Sequence, residues 1–154
     1  MKGGITSMSA KDVAKAAIQA WEANDAGRLA SCLADSVIWY NLLPQPLGKQ
    51  RIIAFMQAVM AAFPDWAFNA IFLNEHPVRE QGMLAHFVIR ITGTHRGDFF
   101  VPGLPRIPPS DTRIALPLRH LDVTVNDEQV TAIWTDFSPN GLEEILARLG
   151  MRLP

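Results

Sequence analysis

Cysteine is nearly absent from this 154-residue chain, where Cys32 stands alone. One thiol cannot close an internal disulfide, which excludes a disulfide scaffold and fits a reducing compartment. Cys32 reads as a small core hydrophobe, since a catalytic thiol would want a histidine nearby. Charge is scarce as well. Charged residues make up 19% and the formal net charge is −1, so no basic field points to nucleic acid or another polyanion. No apolar run approaches the roughly 20 residues that a membrane-spanning helix needs. The opening Met1-Lys2-Gly3-Gly4-Ile5 lacks a long apolar core and a cleavage pattern, so no secretion signal is expected and the cytoplasm is the expected location. Histidines stand at 76, 86, 95 and 120 with no close pair and no cysteine partner. That spacing supplies no metal site, and no glycine-rich phosphate loop is present. Neither a metal nor a cofactor is expected.

Apolar residues are plentiful at 49%. At this length they suffice for one domain with a real core, spanning 1–154, with 1–9 as a loose tail. Ser9 can cap a helix over 10–24, where Val13, Ala17, Ile18 and Trp21 form one apolar stripe. A shorter helix carries Leu29, Cys32 and Leu33. Residues 37–41 read as a strand, a proline loop follows, and a third helix covers 49–63. The pattern then changes to period two, and 66–73, 83–94, 114–125 and 130–137 read as strands. A last helix covers 141–149. Helices first and antiparallel strands after imply an α+β fold, a curved sheet folded over helices.

The last two strands carry the chemistry. Residues two apart share a face, so His120 pairs in direction with Asp122, and Trp134 with Asp136. As a hairpin, all four meet on one side. Such groups are costly to cover unless they line a pocket. Asp136 is the expected acid/base group. Desolvation beside Trp134 and Phe137 would raise its pKa, and a nearby Arg90 would lower it; otherwise it caps the following loop or pairs with Arg90. His120 would polarise a carbonyl or relay a proton, or it is a hydrogen-bonded structural residue. Asp122 reads as a solvated or hydrogen-bonded residue near the same place. Arg90 shares a face with His86 and holds an oxyanion or a carboxylate partner. Asn41 can donate to a substrate oxygen or close an Asx turn. Trp39 and Trp134 are expected as flat pocket walls for a cyclic or aromatic ligand. The stretch 99–109 is rich in proline and includes Phe99 and Phe100, which suits a stiff packed loop or a lid. The opposite face collects Ile89, Ile91, Leu121, Val123, Ile133 and Phe137, too apolar for solvent. It is either a subunit interface or the core. In the second case the polar set faces a partner or water.

The run Phe63-Pro64-Asp65-Trp66, the phrase Thr92-Gly93-Thr94-His95-Arg96-Gly97-Asp98-Phe99 and the ending Leu146-Ala147-Arg148-Leu149-Gly150 resemble the SnoaL-like polyketide cyclase family. The likeness runs from about Val13 to Gly150. It implies the nuclear-transport-factor-2-like architecture, a cone of N-terminal helices packed against a strongly curved antiparallel sheet. It also implies a homodimer through the outer sheet face and a small hydrophobic carbonyl ligand. Two stretches depart from the family pattern: Pro108-Pro109-Ser110-Asp111 follows a longer proline loop, and Asp127-Glu128-Gln129 replaces a glycine-containing turn.

Trp39-Tyr40-Asn41 and Trp134-Thr135-Asp136-Phe137 are similar to segments of limonene-epoxide hydrolase, in which the equivalent of Asp136 is catalytic. That enzyme's Arg-x-Asp pair has no match at Val88-Ile89-Arg90. Against ketosteroid isomerase, Asn41 stands at the general base and Ala17 at the oxyanion tyrosine, so the same mechanism is not expected. The resemblance implies cofactor-free acid/base chemistry next to a carbonyl in a deep hydrophobic pocket, with Asp136 moving the proton and His120, Asn41 or Arg90 holding the enolate oxygen. Asp122, His86, Trp39, Trp134 and Phe99 complete the expected pocket. The alternatives are a small-molecule binder without turnover and an epoxide-hydrolase-like enzyme.

Overall fold

A computed structural model describes residues 8–151; most of the expected 1–9 tail lies outside them. Helix α1 (Ala10–Glu22) starts where Ser9 Oγ accepts from the Asp12 N–H at 3.1 Å. Its Val13, Ala14, Ala20 and Trp21 are buried. Helix α2 (Ala26–Cys32) is capped in the same way by Asp25. Strand β1 (Leu33–Tyr40) follows directly. Helix α3 (Lys49–Ala62) has no side-chain cap. Its Lys49 Nζ donates instead to Leu33 O and Asp35 Oδ1, at 3.0 and 3.1 Å, tying the helix start to β1.

The remaining strands are β2 (Ile71–Val78), β3 (Gly82–Ile89), β4 (Thr92–Thr94), β5 (Arg113–Ala115), β6 (Arg119–Asn126) and β7 (Gln129–Thr135), before helix α4 (Gly141–Arg148). The main sheet runs β1-β7-β6-β3-β2, and β4-β5 form a separate pair. Pairing is antiparallel except between β1 and β7, which run parallel. Helices α1, α2 and α3 pack against β1, β3, β6 and β7, giving the α+β cone.

Three strand expectations change, two through a diverted hydrogen bond and one at a proline. The strand expected over 66–73 starts at Ile71, because the Phe68 N–H goes to Glu22 Oε2 at 2.8 Å. The one expected over 83–94 divides at Arg90, whose N–H reaches Phe68 O rather than continuing the ladder. The one over 114–125 divides around Pro117, which has no N–H to give. The sheet bends at these points. The β6–β7 turn is tight because Asp127 and Glu128 both have positive φ, 53° and 61°, the backbone twist that a two-residue hairpin needs.

Gly82, at the start of β3, has φ 101°. A Cβ there would collide with the Val125 carbonyl oxygen. Gly82→Ala is therefore expected to cost about 2 kcal/mol or more, read as a lower urea midpoint with an unchanged slope. A variant as stable as the parent would contradict this account.

Candidate functional site

The cone closes around aromatic rings. Trp21 of α1 sits at its centre, with ring centroids 5.7 Å from Trp39, 6.4 Å from Phe55, 6.4 Å from Trp66 and 5.3 Å from Phe68. Two small apolar voids lie among the described residues there. One, of about 30 Å³, lies between α1, α2, α3 and the sheet, against Ala17, Ile18, Leu33, Leu121, Val123 and Ile133 among others. The other, of about 10 Å³, lies against Trp66, Leu42, Ile91, Leu116 and Ile145. Trp21, Trp39 and Phe68 line both. No carboxylate, imidazole, amine or guanidinium lines either.

The sheet faces are therefore the reverse of one expectation. Ile89, Ile91, Leu121, Val123, Ile133 and Phe137 are buried in the core and do not pair subunits. The polar set stands on the outer, uncovered face. The reason is arithmetic: an antiparallel sheet covered on one side puts its apolar residues under the helices. On β3, β6 and β7 those are Ala85, Phe87, Ile89, Leu121, Val123, Val125, Val130 and Ile133. Thr135 is the polar exception, and its Oγ accepts from Trp39 Nε1 at 3.3 Å.

The hairpin does bring His120 and Asp136 together. The His120 backbone N–H donates to Asp136 Oδ1 at 2.7 Å, and His120 Nδ1 lies 2.9 Å from Oδ2. The two side chains are 62% and 45% exposed, so the pair is not enclosed. Burial pushes the Asp136 carboxyl up, but the His120 side chain, its backbone N–H and its charge together outweigh that and hold the carboxyl below the usual range. Desolvation acts in the expected direction, but the lowering comes chiefly from His120, and Arg90 is not among its causes.

One row across the outer face places Tyr40, Trp134, Asp122 and His86 side by side. Asp122 Oδ1 meets His86 Nδ1 at 2.7 Å, and the Tyr40 and Trp134 rings stack at 5.5 Å. Trp134 is 52% exposed and lines neither void. Arg90 is exposed and makes no ion pair with Asp136 or Asp122 among the described residues.

Asn41 has φ 71°, and its amide donates to Thr135 O and Phe137 O at 2.8 and 2.7 Å. Both donors are thus spent clamping β1 to the end of β7, so none is left for a substrate or a water. Trp39 lines both voids. Phe99 is buried edge-on against Phe63 at 5.7 Å, outside both voids, and Val101 is buried too, whereas most of the rest of the 99–109 stretch is exposed. Its neighbour Phe100 is exposed. Sequence reasoning missed Trp21, Trp66 and Phe68 as site residues. Trp21 was visible only as part of a helix stripe, and nothing in the spacing joined it to Trp66.

The sequence matches the SnoaL-like domain family over residues 14–133. Among solved structures, a candidate polyketide cyclase from Pseudomonas putida KT2440 superposes with a TM-score of 0.66 at 16% identity, over 90% of this chain and 98% of that one. IdmH from Streptomyces antibioticus, also a candidate polyketide cyclase, gives 0.65 at 18% identity, over 94% and 100%. AclR from Streptomyces galilaeus, a candidate hydroxylase, gives 0.65 at 18% identity, over 92% and 80%. At these identities the likeness is one of fold. No curated protein sequence matches the chain. No described helix is long and apolar enough to cross a membrane.

Because the Asp136 pKa is depressed in the folded state, its ionised form stabilises the protein above the ordinary carboxylate range, and that contribution is lost as pH falls through the depressed value. Asp136→Asn should cost about 0.5 kcal/mol near neutral pH, the scale of a half-exposed pair, and the cost should shrink as pH falls below the ordinary carboxylate range. Thermal melts of both proteins over a falling pH series test this; a gap that does not narrow would refute it. The match over residues 14–133, on a cone of this architecture, places the chain in the SnoaL-like domain family.

Proposed function

We propose that this protein takes up a small, ring-shaped apolar molecule inside the cone, and that binding rather than proton transfer is the central act there. One observation carries the reading: both internal voids are lined by apolar and aromatic side chains without a titratable group. An apolar cavity of this kind stays dry and favours apolar guests. The voids hold about 30 and 10 Å³, so a guest needs the shared walls Trp21, Trp39 or Phe68 to move. The partly buried, single Cys32 suits the proposed cytoplasmic location.

Filling the larger void should block uptake. Ala17→Phe is expected to weaken binding of naphthalene, followed by tryptophan fluorescence, about tenfold or more, while Asp136→Asn leaves it unchanged. The reverse ranking of the two variants would sink the proposal.

A second reading keeps the acid/base chemistry of a cyclase or isomerase. Its support is the double contact of His120 on Asp136, which orients a carboxylate base beside an imidazole. It would act at the outer face, without Asn41. The epoxide-hydrolase reading has less support, since both amide donors of Asn41 are committed to Thr135 O and Phe137 O and the Arg-x-Asp pair is missing.

We also propose a homodimer through the outer sheet face, in its revised, polar and aromatic form. The support is the exposure of Trp134, Tyr40, Ile71 and Leu73 on or beside one uncovered sheet. Trp134→Glu is expected to halve the sedimenting mass in analytical ultracentrifugation. A parent protein that sediments as a monomer would remove the dimer.

A further inference from the structure

Two indole N–H groups in the cone have no partner. Trp21 Nε1 and Trp66 Nε1 are sealed from solvent and make no hydrogen bond among the described residues. Both rings are nearly fully buried and lie 6.4 Å apart. Both line the smaller void, whose other side chains are apolar or, for Trp39, already bonded to Thr135. An indole N–H can only donate, and a buried donor without an acceptor is unfavourable. The cone therefore offers two donors and lacks an acceptor for them.

We infer that the cone selects a neutral guest carrying a hydrogen-bond acceptor and no donor, such as an aryl ketone, ester or ether, and that Trp21 and Trp66 hold its oxygen. An anionic acceptor does not fit, because no cation lines the voids to offset its desolvation. An alcohol or amine does not fit either. Its own donor would meet apolar walls. The inference rests on the binding reading above and narrows it to a ligand class. It differs from the carbonyl chemistry expected at His120 and Asp136, which stand on the other side of the sheet.

The test compares acetophenone with ethylbenzene, which match in shape and differ by a carbonyl for a methylene. Each is titrated into the ¹⁵N-labelled full chain, and the four tryptophan indole signals are followed. Acetophenone is expected to bind about tenfold tighter, the worth of one or two buried hydrogen bonds, and to move the Trp21 and Trp66 indole protons downfield. Trp21→Phe and Trp66→Phe keep an aromatic ring and lose the donor. Each should erase most of the acetophenone advantage and leave ethylbenzene affinity within about threefold. If a variant fails to fold, the comparison on the parent protein alone decides. Equal affinities for the two probes would overturn the acceptor inference and leave the cone-binding proposal standing. Binding of neither would overturn both. Shifts confined to Trp134 would place the guest on the outer face and overturn both as well.

Discussion

The structure depends on the covering of one sheet face by one helix. Trp21 of α1 is 2% exposed and touches Trp39, Phe55, Trp66 and Phe68. A tryptophan buries roughly 150–250 Å², so its burial alone contributes about 5 kcal/mol, comparable to a whole domain's net stability. Around it close the third helix, the first strand and the bend between α3 and β2. Once α1 lies on this face, the inward positions of β3, β6 and β7 must be apolar, and their neighbours must face outward. The cavity's character and the position of every polar candidate follow from that choice.

The same constraint explains the division of labour among the polar residues. Several polar groups away from the outer face are spent on holding loops and strand ends. Asn41 holds Thr135 and Phe137. Asp65 accepts from the Thr94 N–H and Oγ at 2.7 and 2.8 Å; burial pushes its carboxyl up, but these bonds and nearby Arg96 bring it below the usual range. His95, fully buried, reaches Ser110 Oγ at 3.0 Å through Nδ1. These contacts lock the loops that the Thr92-Gly93-Thr94-His95 phrase and the Phe63-Pro64-Asp65-Trp66 run connect. They account structurally for the residues that first suggested the family. The groups left free for chemistry, His120 with Asp136 and His86 with Asp122, stand outside.

The fold was largely legible. Capping by Ser9, the stripe through Val13 and Trp21, and the change to period two after Pro64 are local signals, set by neighbours in the chain. The strand breaks at Arg90 and near Phe68 were not, because each depends on a hydrogen bond to a residue distant in sequence. The site was legible only in part. The His120–Asp136 contact could be read from hairpin register, since antiparallel pairing fixes cross-strand neighbours. Its position relative to the cavity could not, and neither could the Trp21–Trp66 pair, which joins a first helix to a loop that follows the third.

From the sequence alone came the partition of each strand into two faces, one of His86, His120, Asp122, Trp134 and Asp136, the other of Ile89, Leu121, Val123 and Ile133. Alternation is a property of the extended backbone and needs no tertiary information. Which of the two faces is covered was decided only by the tertiary structure. That choice lies in where α1, α2 and α3 come to rest. It is driven by the larger apolar area, and alternation carries no sign for it.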